Sequence, residues 1–131
     1  MPTLNAGGVD EPSRVDLRGV RVLVVEDQWY VAIALKSLLE VEGMEARGPA
    51  ATTAVALRLA TEKKPDVAII DINLKGEMSY GLIDQLHNQG VRIVVATGYA
   101  VPRLTEKVAA VLHKPFNRAD LLAALRRALS P

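Results

Sequence analysis

The chain predicts an α/β domain: a parallel sheet with helices on both faces. Three observations predict it. Five short apolar segments of strand length alternate with stretches whose apolar residues recur at helical spacing. The clearest of these segments, residues 20–25 and 66–74, are near-continuous Val/Ile/Leu runs of the kind buried on both sides in parallel sheets. A length of 131 residues supplies one sizeable core and is too short for two.

Residues 1–18, rich in Gly, Pro and charge and without a sustained period, read as a flexible N-terminal tail, with the folded domain over 19–131. The first strand is 20–25, followed at once by Glu26 and Asp27. From Gln28 to Glu42 the residues Val31, Leu35, Leu38 and Leu39 lie at helical spacing, and Gly43 suits a helix C-terminus. Residues 44–49 form a weakly marked second strand. Thr52 or Thr53 caps a helix to about Glu62, where Lys63-Lys64-Pro65 supplies cations for the helix dipole and a stop. The third strand spans 66–74, Lys75 to Met78 is a loop, and Ser79 is the N-cap of a helix marked by Leu82, Ile83 and Leu86.

The fourth strand, 91–96, closes with Thr97-Gly98-Tyr99. Pro102 is tolerated only in a first helical turn, so 100–107 predicts a short or poorly formed helix. The fifth strand, 109–112, runs into His113-Lys114-Pro115-Phe116. Asn117 with Asp120 three residues later resembles a capping box, and Leu121, Leu122, Leu125, Ala128 and Leu129 stripe the last helix.

Composition narrows the function. No apolar run reaches the roughly 18 residues of a membrane span, so a soluble protein is expected. The first dozen residues have neither the basic start nor the apolar segment of a secretory signal; with no cysteine in the chain, this fits a cytoplasmic protein. Sixteen basic and 15 acidic residues are interspersed, which leaves no basic block of the kind that contacts nucleic acid.

Asp71 is the anomaly. It stands between Ile70 and Ile72, and a carboxylate in such a place must be paired, hydrogen-bonded or set against a cation. In a parallel sheet the carboxyl ends of the strands share one edge and open onto the ligand crevice. That edge gathers Glu26 and Asp27 after the first strand, Asp71 late in the third, Thr97 after the fourth and Lys114 after the fifth. Three carboxylates brought together repel, and Mg²⁺ removes the penalty because it takes one or two carboxylates, keeps waters and accepts phosphate oxygens. An ammonium and a hydroxyl beside such a cation suit phosphoryl transfer, with Asp71 as the nucleophile.

These residues, in this order and spacing, resemble the receiver domain of two-component response regulators, over residues 20–129. The resemblance implies a flavodoxin-like (βα)5 fold with strand order 2-1-3-4-5. It implies that Asp71 accepts a phosphoryl group from a histidine kinase or histidine phosphotransfer protein. Asp27 would bind Mg²⁺ directly and Glu26 through water, and the backbone carbonyl of Asn73 would complete the protein ligands. Lys114 would contact the phosphoryl oxygens, Pro115 would follow a cis peptide bond, and Thr97 would move inward as the switch. The output would lie in a downstream protein partner, the chain itself being a monomer or weak dimer. Self-catalysed phosphoryl transfer and autodephosphorylation would be its only chemistry.

One departure matters. The aromatic that receivers carry three residues before the lysine is replaced by Val111. Ala96-Thr97-Gly98-Tyr99 instead resembles the stand-alone "FAT GUY" receivers, although Arg92, Ile93 and Val95 stand where that subgroup has proline and phenylalanines. Tyr99 is then the expected relay of Thr97. The alternative is a Mg²⁺-dependent aspartyl-phosphate phosphohydrolase, whose second acid/base aspartate would fall where this chain has Asn73.

The remaining features have ordinary readings. Trp29 and Tyr30 are expected to pack on their neighbours at a helix start. His87 and His113 lack metal-ligand spacing and read as structural or solvated. Arg103, Lys107, Arg118, Arg126 and Arg127 read as a solvated surface.

Overall fold

The computed structural model describes residues 15–98 and 106–131. The main sheet is formed by β1 (Arg21–Val25), β2 (Glu45–Ala50), β3 (Val67–Asp71), β6 (Arg92–Thr97) and β7 (Ala110–His113), in the order β2-β1-β3-β6-β7. All its pairings are parallel. Counted within that sheet the order is 2-1-3-4-5, the flavodoxin-like arrangement. Four helices are present among the described residues: α1 (Trp29–Val41), α2 (Thr53–Glu62), α3 (Tyr80–Asn88) and α4 (Arg118–Leu129). The helix expected at 100–107 falls largely outside the described residues.

Side chains alternate across each strand, so the sheet buries two separate layers. Val22 and Val24 of β1, Val67 and Ile69 of β3, and Val94 of β6 pack with Ala32, Leu35 and Leu39 of α1 and Leu121 and Leu125 of α4. Leu23, Val25, Ala68, Ile70, Ile93 and Val95 face the other way, onto Ala56 and Ala60 of α2 and Leu82, Ile83 and Leu86 of α3. Leu17 joins the first layer, so the packed chain begins upstream of the boundary expected at Gly19.

Three local expectations change. The third strand stops at Asp71; Asn73–Leu74 (β4) instead pairs antiparallel with Glu77–Met78 (β5), so residues 73–78 form a small hairpin where a continued strand and then a loop were expected. Thr97 is the last residue of β6, hydrogen-bonded into the sheet and not beyond it. Trp29 and Tyr30 stand 69% and 77% exposed, because α1 turns Ala32, Leu35 and Leu39 to the sheet and leaves its first residues outside.

Helix ends follow the sequence closely. The Thr52 hydroxyl accepts from the Val55 N–H at 3.2 Å. Asn117 and Asp120 complete a reciprocal capping box, with the Asp120 N–H donating to Asn117 Oδ1 at 2.8 Å and the Asn117 N–H to Asp120 Oδ2 at 3.2 Å. Ser79 holds the N-cap position of α3, but its hydroxyl makes no cap bond. No helix among the described residues is long and apolar enough to cross a membrane.

Candidate functional site

Parallel register brings four strand ends to one edge. Val25 lies beside Ile70, Asp71 beside Ala96, and Thr97 beside His113, so the residues that follow or end these strands face one another. The chain leaves β1 through the Glu26 N–H, which donates to the Ala50 carbonyl at 2.9 Å, and Glu26 and Asp27 then sit over the end of β3.

One carboxylate oxygen from each of Glu26, Asp27 and Asp71 lies within 4.8 Å of the other two. The Lys114 ammonium donates to Glu26 Oε1 at 2.8 Å and to Asp71 Oδ2 at 3.2 Å. Thr97 is buried at the same edge, and its carbonyl accepts from the Lys114 N–H at 2.7 Å, which fixes where the lysine stem begins. The structure thus brings together Glu26, Asp27, Asp71, Asn73, Thr97 and Lys114. Tyr99 lies outside the described residues. The Lys114–Pro115 peptide bond is cis.

The electrostatics follow from burial. Glu26 is 4% exposed, and that desolvation pushes its carboxyl above the ordinary carboxylate range against the lowering effect of the Lys114 bond and the Gln28 N–H. Burial alone would depress the Lys114 ammonium. The bond to Glu26 and the fields of Asp71 and Glu26 reverse this and hold it above its usual value. Partners in an ion pair ordinarily shift apart, the acid down and the base up. Here Glu26 also rises because it is much the more deeply buried of the two, Lys114 being 25% exposed.

Three contacts were not legible in the sequence. The Ser79 hydroxyl donates to the Asp71 backbone carbonyl at 2.6 Å, tying the last residue of β3 to the start of α3. The Asn73 N–H donates to Asp71 Oδ1 at 3.0 Å. The Lys75 N–H, 48 positions away in sequence, donates to Asp27 Oδ2 at 3.1 Å. A serine after a loop gives a cap signal, which did foretell the residue but not its bond. Backbone N–H groups carry no side-chain signature at all.

A cavity of about 340 Å³ opens over this cluster, lined by Asp27, Asp71, Asn73, Lys75, Gly98 and Lys114 among others. Its hard oxygen donors fit a small divalent cation, and its ammonium fits an anion. A larger apolar groove of about 610 Å³ lies next to it, between α1 and the Pro115–Arg118 segment, with Tyr30, Leu35, Leu38 and Phe116 in its walls. Val111, three residues before Lys114, is half-buried in β7.

Comparisons with known proteins agree with this geometry. Residues 22–126 match the family model of the response regulator receiver domain. The chain is 31% identical over 116 residues to the transcriptional regulatory protein PdtaR of Mycobacterium tuberculosis, covering 84% of this chain and 57% of that protein. It is 23% identical to the sporulation initiation phosphotransferase F of Bacillus subtilis, covering 83% of this chain and 93% of the relative. The structure of the Vibrio cholerae chemotaxis protein CheY4 superposes with a TM-score of 0.76 at 26% identity, over 85% of this chain and 99% of that one. The chain therefore spans little more than half the length of PdtaR and nearly all of the two smaller proteins. With the sheet order, the acidic edge and the family match in agreement, this chain belongs to the response regulator receiver domain family.

Proposed function

We propose that the chain is a Mg²⁺-dependent phosphoacceptor that takes a phosphoryl group on Asp71 from a histidine kinase or histidine phosphotransfer protein and signals to a downstream protein by changing conformation. The observation that carries this reading is the position of Lys114. Its ammonium touches Asp71 Oδ2, so a cation stands where the charge of an arriving phosphoryl group would have to be met.

Each residue has a role in that reading. A carboxylate oxygen of Asp71 attacks phosphorus as the bond to one ring nitrogen of the donor's phosphohistidine breaks; the electron pair stays on that nitrogen, and the proton on the other ring nitrogen makes the departing donor a neutral imidazole beside the new acyl phosphate. The Asn73 N–H and the Ser79 hydroxyl hold the side chain and backbone of Asp71 in place for that approach. Lys114 turns from the bare carboxylates to the phosphoryl oxygens. Glu26, Asp27 and Asp71 would hold the cation, with the Asn73 carbonyl as the backbone ligand. When bound, Mg²⁺ supplies positive charge against the phosphoryl oxygens. Thr97 supplies a hydroxyl that moves toward the new phosphate, and Tyr99 relays the move.

The test is to add Mg²⁺ and a small acyl phosphate and follow incorporation by intact mass. The expected result is one phosphoryl group per chain, absent in Asp71→Ala. Repeated hydrolysis of a small phosphate ester, lost in Asp71→Ala and leaving no stable phosphoryl group on the chain, would defeat the reading.

A further inference from the structure

We infer that the β4–β5 hairpin, residues 73–78, is a clamp that sets the orientation of Asp27 for a divalent cation, with Gly76 fixing its shape. The inference rests on the phosphoacceptor reading above and concerns a positioning element of that same site.

Asp27 follows β1 on a turn and is only half-buried, and among the described residues its carboxylate takes its hydrogen bond from outside that segment. The constraint arrives from elsewhere, since the Lys75 N–H binds Oδ2 at 3.1 Å. A backbone amide reaches that far only because the hairpin turns back sharply. Lys75 and Gly76 both have positive φ, 50° and 82°, which is the geometry of a two-residue turn of the primed type. The Gly76 N–H donates to Asn73 Oδ1 at 2.8 Å and closes the turn on itself. The Asn73 N–H in turn holds Asp71 Oδ1. A six-residue hairpin therefore grips one oxygen on each of two carboxylates of the cluster, and the grip on Asp27 comes from the turn itself.

Gly76 isolates the effect. A Cβ placed there meets nothing within 4 Å, so alanine adds no clash and acts only through the left-handed backbone it disfavours. Gly81, in the first turn of α3, also has open space around it but no positive φ, and so serves as the control.

The experiment measures the thermal unfolding midpoint of the full chain against MgCl₂ at constant ionic strength, since a cation that binds only the folded state raises the midpoint according to its affinity. Taking each variant relative to its own cation-free midpoint removes general stability effects. In Gly76→Ala the turn opens in the cation-free chain and must re-form when the cation binds, so about fivefold more Mg²⁺ than wild type is expected for the same rise, the size of a glycine conformational penalty. Asn73→Ala, which deletes the acceptor for the Gly76 N–H, should do likewise, and Gly81→Ala should match wild type. A wild-type Mg²⁺ response in both Gly76→Ala and Asn73→Ala overturns the clamp and leaves the phosphoacceptor reading intact. A wild-type chain that shows no rise with Mg²⁺ overturns both.

Discussion

The Lys114 ammonium bridges Glu26 and Asp71, at 2.8 Å and 3.2 Å, across 88 and 43 positions of sequence. One side chain thus closes the sheet edge mechanically and compensates two carboxylates that would otherwise face each other. Lys114→Met keeps most of the stem and removes the charge. The expected loss is about 2 kcal/mol of unfolding free energy, below the cost of breaking a fully buried pair because the ammonium is partly solvated. The lysine's folded value lies above 10.5, so its contribution is complete below that pH and disappears as pH rises through the folded value. Denaturant unfolding of both proteins checks this, and equal stabilities at neutral pH would refute it.

Glu26 gives the same direction of pH dependence at the acid end of the scale. Its carboxyl is raised above 4.5 by burial, so between 4.5 and the folded value the native chain holds a proton the unfolded chain has lost. Stability from this group falls as pH climbs through that window. Without Lys114 the buried charge is uncompensated, and protonation relieves it. The stability difference between wild type and Lys114→Met should therefore shrink as pH drops through the window. A difference that is constant from neutrality down to the acid limb would show that Glu26 is not the group left stranded.

Ser79 tests how much the site depends on backbone anchoring. Its hydroxyl is buried and makes a 2.6 Å bond to the Asp71 carbonyl. Ser79→Ala is expected to cost about 1 kcal/mol and to slow phosphorylation of Asp71 by a small acyl phosphate, because the acceptor's backbone loses a fixed point. Stability and incorporation rate are read on the same protein. A stability loss with an unchanged rate would confine Ser79 to the fold.

Arg92 anchors the far edge. Its guanidinium donates to the Ala128 carbonyl at 2.8 Å, satisfying an otherwise open carbonyl at the end of α4. Arg92→Ala should lower stability by about 1 kcal/mol while leaving incorporation at Asp71 unchanged, since the contact lies at the opposite end of β6 from Thr97. Loss of incorporation without loss of fold would contradict that separation.

The sequence was most legible where one physical rule acted alone. Continuous Val/Ile runs marked β1, β3 and β6, and the Asn117 and Asp120 pair marked the start of α4 within a residue, because burial on two faces and reciprocal capping leave direct residue signatures. The convergence of Glu26, Asp27, Asp71, Thr97 and Lys114 followed from strand ends sharing an edge. The hairpin at 73–78 was missed since Ile72-Asn73-Leu74 continues the apolar pattern of β3, while the turn that breaks it is set by backbone angles at Lys75 and Gly76. Trp29 and Tyr30 were misplaced because an aromatic at a helix start has no rule that orients it. Their exposure is decided by where α1 meets the sheet.

Thr97 and Tyr99 carry the last expectation. The Thr97 side chain is buried at the end of β6, and its carbonyl already holds the Lys114 N–H, so a movement of Thr97 toward a phosphate at Asp71 also bears on the Lys114 backbone. No aromatic stands at Val111 to register that movement, and Tyr99 is the next aromatic along the chain from Thr97. Thr97→Val, which keeps the volume and removes the hydroxyl, should still accept phosphate at Asp71 but lose the conformational response. Tyr99→Ala should leave both incorporation and the local response at Thr97 intact and abolish the change beyond it. Amide hydrogen exchange with and without beryllofluoride reads each case, because protection is reported segment by segment. If Tyr99→Ala retained the full wild-type pattern of altered protection, the signal would have to leave Thr97 through the β6–β7 pairing instead.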